Sequence, residues 1–187
     1  MAAPPSLHIV IDEHTELRMI EERDAHELFR LVDRDREYLR QWLPWVDYTH
    51  TVDDELAFIR GTRTQFRDNG NYGCVICYHK QIVGTIGYHP VNWHDRRVEI
   101  GYWLGASFQG RGLMTRACWA MTNYAFTAMK LNKVEIRCAT GNQRSCAIPL
   151  RLGFKHEGII RQGEWLNNRF VDLNLFGMLA SEWQQRG

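Results

Sequence analysis

The spacing of apolar residues along the chain predicts groups of helices and strands. Apolar residues that recur every three or four positions indicate an amphipathic helix, and strict alternation indicates a half-buried strand. Asp24 and Glu27 have the spacing of a helix-opening capping box, and Thr51 is a typical first residue of another helix, which Asn69-Gly70 ends. Strand patterns cover residues 7–11, 16–20, 73–78, 82–90, 97–104, 133–139, 154–163 and 170–178.

The most regular strand pattern, residues 97–104, leads through a glycine-rich loop at 105–112 into a long helix. Asn142 has the character of an N-cap for a later, shorter helix. The order of elements is strand, helices, three antiparallel strands, helix, strand, helix and two strands. This order lacks the regular alternation of a doubly wound fold. It predicts an α+β domain around one mixed, mostly antiparallel sheet. Because we find no repeat and no linker, we expect a single domain over residues 1–187.

Composition and charge argue against a nucleic-acid binder, a membrane-spanning protein and a secreted protein. Lys and Arg number 23 against 22 Asp and Glu, so the strongly basic balance of a nucleic-acid binder is absent. The sequence has no apolar run of about 18 residues, so we expect no membrane span. Residues 1–6 lack the pattern of a secretory signal. Five cysteines, an odd number, favour reduced thiols and a cytoplasmic location.

No pattern in the sequence predicts a metal site. Cys74 and Cys77 form a C-x-x-C pair, but on a strand their side chains should point to opposite faces, and no second pair is present. Core packing is therefore the expected role of both thiols.

The glycine-rich loop carries the strongest chemical signal. A loop of this kind at the start of a helix offers backbone N–H groups to a phosphate. Gly105 and Gly110 have Walker A spacing, but Arg111 and Gly112 follow where Lys and Ser or Thr are needed. A dinucleotide-binding fingerprint would need a third glycine where Thr115 stands. The sequence therefore excludes both of these nucleotide-binding motifs.

A third pattern fits better. The sequence Gln109-Gly110-Arg111-Gly112-Leu113-Met114 resembles the Q-x-x-G-x-G/A loop of the GNAT superfamily of acyl-CoA-dependent N-acetyltransferases, with Met114 in place of the usual Gly or Ala. The resemblance extends over roughly residues 15 to 178 and is strongest to the RimJ/RimL branch, the ribosomal-protein N-terminal acetyltransferases. The segments that carry it are Trp42-Leu43-Pro44-Trp45, Val98 to Leu104, Asn142 to Ser145, Leu152-Gly153-Phe154 and Glu157-Gly158.

The resemblance implies that acetyl-CoA is the co-substrate and that no metal is needed. Main-chain amides between Gln109 and Met114, including those of Gly110, Arg111, Gly112 and Leu113, would then hold the coenzyme A pyrophosphate. The strand around Leu104, with Tyr102 and Trp103, would splay from its neighbour and pair with the pantetheine arm and thioester. Asn142 would both cap its helix and bind a pantetheine amide.

The resemblance also suggests the catalytic groups. Glu164 matches the position of the catalytic glutamate in RimL-like enzymes, and we expect the neighbouring Trp165 to raise its pKa. Glu99 is the second candidate for the base, although a salt bridge to Arg97 or another surface cation would also explain it. Ser145 is the candidate acid, because Pro149 stands where many members of the superfamily have Tyr. A local backbone hydrogen bond would explain Ser145 equally well.

The acceptor is expected to be the α-amine of a protein N-terminus, in a groove lined by Trp42, Trp45 and Trp165 and near Glu99. Two alternatives stay open: the same chemistry on a small amine, and a non-catalytic acetyl-CoA-binding module. The resemblance further suggests a homodimer whose contact is the aromatic N-terminal region.

Overall fold

The computed structural model describes residues 7–69 and 71–185. The predictions made for residues 1–6 and for Gly70 lie outside this range. The strands are β1 (His8–Val10), β2 (Thr15–Met19), β3 (Gly73–Tyr78), β4 (Gln81–Tyr88), β5 (Arg97–Leu104), β6 (Lys133–Ala139), β7 (Lys155–Leu166) and β8 (Arg169–Leu179). The helices are α1 (Ala25–Arg34), α2 (Arg36–Leu39), α3 (Val52–Asn69), α4 (Leu113–Thr127), α5 (Gln143–Arg151) and α6 (Ala180–Gln184).

All eight strands form one sheet in the order β1-β2-β3-β4-β5-β6-β8-β7. Every neighbouring pair is antiparallel except β5 and β6, which run parallel. This confirms the predicted α+β class with a mixed, mostly antiparallel sheet. The parallel pair follows from the connection through α4, since parallel neighbours need a long crossover.

Helices cover both faces of the sheet. On one face, Met121 of α4 belongs to the same buried cluster as Ile100 of β5. On the other face, Leu28 of α1 and Ile59 of α3 pack with Val75. Cys74 belongs to the first cluster and Cys77 to the second, as the C-x-x-C spacing on a strand predicts.

The two further properties of the described residues concern membrane-spanning helices and clusters of metal ligands. Within residues 7–69 and 71–185, no helix is long and apolar enough to cross a membrane. The same residues contain no group of three or more His, Cys, Asp or Glu side chains placed to hold a metal ion.

The predicted capping box at the start of α1 is wrong. Asp24 instead accepts two hydrogen bonds from the Arg18 guanidinium, at 2.7 and 2.8 Å, and one from the Glu21 amide at 2.8 Å. Glu27 accepts a hydrogen bond from the amide of Ile82 on β4. Asp24 therefore belongs to a capping box that begins three residues earlier, at Glu21, while Glu27 bonds the sheet.

A gap opens between the two parallel strands. β5 pairs with β6 only through its first three residues, Arg97 to Glu99. From Ile136 onward β6 pairs only with β8, while residues 100–104 of β5 pair only with β4. The strands therefore diverge, and one edge of residues 100–104 is left without a strand partner.

Candidate active site

Two cavities meet at the gap between β5 and β6. The first, here called the α4 cavity, has a volume of about 940 Å³ and borders the glycine-rich loop and the start of α4. The second, the α3 cavity, has a volume of about 780 Å³ and lies beside α3 and the segment after α2. The residues that line both are Trp42, Leu43, Tyr102, Trp103, Asn142 and Ser145.

The glycine-rich loop gives the α4 cavity its main-chain lining. Gly110 and Gly112 have φ values of +73° and +71°, in the left-handed region that favours glycine. α4 begins at Leu113, so the amides of its first turn have no carbonyl partner within the helix. Gly110, Gly112, Leu113 and Met114 all line the cavity. A helix start of this kind, opening into a cavity, is suited to bind a phosphate group.

The charged side chains of the α4 cavity are all cationic. Arg116, Arg144 and Arg151 line it, and no carboxylate within residues 7–69 and 71–185 does so. Arg116 is balanced in part by Asp12, whose carboxylate lies 3.2 Å from its Nε. Arg144 donates a 2.8 Å hydrogen bond to the side-chain carbonyl of Gln109. The cavity therefore has the charge that a polyphosphate needs.

Gln109 lines the α4 cavity, whereas Arg111 does not. The amide of Gln109 also donates a hydrogen bond to the hydroxyl of Tyr38, so its side chain is held from two sides. The side chain of Arg111 is exposed and is not among the residues that line the cavity. Arg111 can therefore offer its main-chain amide to a phosphate in this cavity, as the motif predicts, but not its side chain.

Ser145 and Asn142 stand at the junction of the two cavities. Asn142 caps α5 by accepting a 3.1 Å hydrogen bond from the Ser145 amide. The Ser145 hydroxyl lies 3.3 Å from the hydroxyl of Tyr102. Burial holds the pKa of Tyr102 well above its ordinary value, so the phenol stays neutral. The hydroxyl of Ser145 therefore has a fixed neutral partner from β5.

Both candidates for the general base, Glu99 and Glu164, line the α3 cavity and have raised pKa values. Burial is the main cause for both Glu99 and Glu164. The charge of Glu99 raises the pKa of Glu164 further. Glu99 lies 3.2 Å from Nε of Arg137, so its ion-pair partner is another cation than Arg97, as the alternative explanation of Glu99 allowed. Of Glu99 and Glu164, only Glu99 has an ion-pair partner within residues 7–69 and 71–185.

The structure places two of the three tryptophans named for the acceptor groove on the α3 cavity. Trp42 and Trp45 line the α3 cavity. Trp165 lines neither cavity: it is 53% exposed and packs edge-on against Phe170 across the β7-β8 hairpin, with ring centroids 4.8 Å apart. Adjacent strand residues point to opposite faces, so Trp165 turns away where Glu164 turns in. Burial, and then the charge of Glu99, raise the pKa of Glu164.

Sequence analysis missed three features of the site. The contact between Tyr102 and Ser145 joins residues 43 positions apart and has no local signal. Cys138 and Cys146, both buried, bring their sulfur atoms to 2.9 Å of each other beside Ser145. Glu55, which lines the α3 cavity, could have been found: it lies on the same helical stripe as the apolar residues Val52, Leu56 and Ile59.

Comparison with known proteins now identifies the family. The model of the acetyltransferase (GNAT) domain matches residues 14–155. This chain belongs to the GNAT acetyltransferase family. The acetyltransferase is 33% identical over 175 residues to the "Putative ribosomal N-acetyltransferase YdaF" of Bacillus subtilis. The aligned residues cover 93% of this chain and 96% of that protein.

Two solved structures share the fold of this acetyltransferase. One is "RimL- Ribosomal L7/L12 alpha-N-protein acetyltransferase in complex with Coenzyme A". It superimposes with a TM-score of 0.90 at 25% sequence identity, and the match covers 94% of this chain and 99% of that one. The other is the "Microcin C7 self immunity acetyltransferase MccE in complex with Acetyl-CoA and AMP", with a TM-score of 0.88 at 25% identity, covering 95% and 98%.

These findings confirm the predicted resemblance and its chemistry. The chain is an acetyl-CoA-dependent N-acetyltransferase of the GNAT family with relatives of the RimJ/RimL type. The α4 cavity fits the coenzyme on independent grounds: a cationic lining, a helix start with free amides, and a strand edge without a partner.

Proposed function

We propose that this acetyltransferase modifies the α-amine of a protein N-terminus by direct attack in a ternary complex. The observation that carries the proposal is that two cavities of opposite charge meet at Ser145 and the β5 edge. The cationic α4 cavity would hold the coenzyme, and the α3 cavity, which contains Glu164, would hold the acceptor. Acetyl-CoA supplies the acetyl group as a thioester.

Glu164 is the proposed general base. An α-amine is largely protonated near pH 7, so a group in the acceptor cavity has to take its proton before the nitrogen can attack. A carboxylate with a raised pKa is a better proton acceptor than an ordinary one. Glu164 has that property, and Glu99 is engaged by Arg137. These two facts favour Glu164 over Glu99 for the role.

Ser145 is the proposed general acid. When the nitrogen bonds to the thioester carbon and the C–S bond breaks, the departing sulfur needs a proton. Ser145 lies at the cavity junction, and its hydroxyl is held by the neutral phenol of Tyr102. A main-chain N–H at the free edge around Leu104 would stabilise the charge that develops on the carbonyl oxygen. The second proton lost by the attacking nitrogen passes to the oxygen of Ser145. The products are then an amide and coenzyme A, with Glu164 protonated and the Ser145 hydroxyl restored.

The choice of a protein acceptor rests on the relatives and on the size of the site. The names of the B. subtilis relative and of the RimL structure refer to ribosomal acetylation. The α3 cavity, at about 780 Å³, is large enough for the first residues of a peptide, and Trp42 and Trp45 would pack against them.

One experiment separates this acceptor from its alternatives. The protein is incubated with acetyl-CoA and with short peptides that have a free α-amine, beside a panel of small amines, and free thiol is measured over time. Peptide-dependent release supports the proposal. The same peptides with a blocked α-amine and a free internal lysine are the matched control. Release with small amines alone would contradict a protein acceptor, and coenzyme binding without turnover would contradict an enzyme.

We further propose that the protein is a single acetyltransferase domain over residues 1–187, acts in the cytoplasm and is a homodimer. All five cysteines are free thiols, which suits a reducing compartment. Tyr48, in the aromatic N-terminal region expected to form the dimer contact, is 78% exposed. Light scattering on the purified protein should give twice the chain mass of 22.0 kDa; a mass of one chain would exclude the dimer.

A further inference from the structure

Glu55 is a buried carboxyl group that the proposed mechanism does not use. It lies in the first turn of α3 and is only 4% exposed. Its side chain lines the α3 cavity. Within residues 7–69 and 71–185, its carboxyl has no hydrogen-bond or ion-pair partner. The adjacent Asp54 is instead engaged by the amides of His50 and Thr51.

The first turn of a helix favours a carboxylate, but this does not explain why the carboxyl of Glu55 is buried without a partner among the described residues. Val52, Leu56 and Ile59 make this side of α3 apolar, and a leucine or methionine would continue the stripe. Burial raises the pKa of Glu55 to about 7, so the fold makes the charged form less stable. A buried charge without a partner destabilises a protein. A ligand that brings a positive charge would supply the missing partner.

The surrounding cavity has an excess of negative charge. Asp54, Glu55, Glu99 and Glu164 line it, against Arg137 as the permanent cation. Arg137 is already paired with Glu99. The charge of Glu99 raises the pKa of Glu164, whereas Asp54 is the charged residue that raises the pKa of Glu55. Glu55 and Glu164 thus have different charged neighbours within one cavity.

Aromatic residues adjoin Glu55 on the cavity wall. Phe58, one helical turn further along α3, lines the cavity and is 56% exposed. Trp45 and Tyr48 line it from the segment after α2. Aromatic faces bind both the aliphatic stem and the charged end of a lysine or arginine side chain. The wall therefore suits a long cationic group whose end reaches the carboxylate.

We propose that Glu55 determines acceptor specificity by binding a second positive charge on the acceptor, separate from the amine that is acetylated. The inference rests on the proposed function, in which the α3 cavity receives the acceptor. On a protein N-terminus, the second charge is a lysine or arginine side chain close to the first residue. A free linear diamine would present the same chemistry, and the test distinguishes the two sources.

The test measures binding, so it does not depend on turnover. Protein saturated with coenzyme A is titrated calorimetrically with five-residue peptides that start with serine and carry lysine at position two, three or four. The same peptides with norleucine in place of lysine are the uncharged counterparts. We expect one lysine position to bind about tenfold more tightly than its counterpart, the size of effect that about 1.4 kcal/mol produces. Butane-1,4-diamine and butylamine form the small-molecule arm.

The variant Glu55→Gln keeps the shape of the side chain and removes its charge. We expect it to abolish the lysine preference while its melting temperature at pH 8 is equal to or above that of the wild type, which excludes unfolding as the cause. Asp53→Asn is the matched control, since Asp53 is an exposed carboxylate next to Asp54 on the same turn of α3. The lysine preference should survive in this control.

The possible outcomes separate the inference from the proposed function. If peptides bind and are acetylated without a lysine preference, or if the preference survives in Glu55→Gln, the role of Glu55 is wrong and the proposed function stands. If only the diamine binds, and does so through Glu55, the cation site is right and the protein acceptor is wrong. If neither class of probe binds, both proposals are overturned.

Discussion

The two cavities are built in opposite ways. More than half of the residues that line the α4 cavity come from one continuous stretch, the end of β5, the loop and the start of α4, and the others come from α2, the segment after it and α5 with its cap. The α3 cavity is assembled from side chains of α3, β4, β5, β6 and β7, with four carboxyl groups. A shared co-substrate can be held by main-chain atoms that a short motif specifies. A particular acceptor has to be selected by side chains that the fold collects from distant positions.

Removing the base should have the largest effect. We expect Glu164→Gln to lower kcat by about 10²–10⁴-fold, the usual contribution of a general base, and to change coenzyme affinity less than about twofold. The wild-type rate should rise with pH through the raised pKa of Glu164, because the base must be ionised, and this rise should vanish in the variant.

Steady-state rates as a function of pH and calorimetry with coenzyme A measure both quantities. Glu37→Gln is a suitable control, since Glu37 is 86% exposed and lines neither cavity. A near-normal rate and pH profile for Glu164→Gln would exclude Glu164 as the base and direct attention to Glu99.

The next largest effect should come from the loop. Gly112→Glu places a carboxylate beside the proposed pyrophosphate site and forces a side chain onto a residue with φ of +71°. Arg116 Nη1 would lie 3.1 Å from the new Cβ. We expect coenzyme affinity to fall by about 100-fold or more, which corresponds to about 2.8 kcal/mol.

Gly112→Ala introduces the strain without the charge and should cause a smaller loss of coenzyme affinity. Gly61→Glu tests the added charge alone, because a Cβ at Gly61 meets no atom within 4 Å. Undiminished coenzyme binding by Gly112→Glu would contradict the role of the loop.

A third prediction concerns stability in the α3 cavity. The pKa of Glu55 is about 7 in the folded protein, against an ordinary value of 4.5. Between these two values the folded state binds more protons than the unfolded state, so stability falls as pH rises from 4.5 through 7. Glu55→Gln should therefore be more stable than the wild type at pH 8, by on the order of 2–3 kcal/mol, and show little difference near pH 4.5.

Urea denaturation of the two proteins at both pH values measures the difference. A variant that is less stable at pH 8 would mean that Glu55 has a stabilising partner, and would remove the reason to assign it a ligand.

The smallest effect should come from a single cation of the α4 cavity. Arg144→Gln should weaken coenzyme A binding by about tenfold at low salt, and the loss should shrink as salt screens the charge. Arg161→Gln removes an exposed cation from β7, outside both cavities, and should leave the affinity near that of the wild type. A salt-independent loss for Arg144→Gln would indicate that its hydrogen bond to Gln109, not its charge, is what matters.

Local patterns predicted most of the fold. The alternation in β5 and the Asn142 cap depend on residues close in sequence, and the structure has both. The predicted capping box failed because other partners competed for both of its side chains. Asp24 binds the Arg18 guanidinium and the Glu21 amide, and Glu27 binds the amide of Ile82 on the distant strand β4.

The sequence by itself determined the family, the coenzyme and the loop at 105–112, because a helix start with free amides is specified by residues that follow one another. Only the tertiary structure decided which carboxyl groups face the acceptor and which tryptophan turns away from it. The orientation of these side chains depends on the point at which β5 and β6 diverge and on the position of α3 beside the cavity. Contacts between residues far apart in the chain exist only once the strands have paired and the helices have packed.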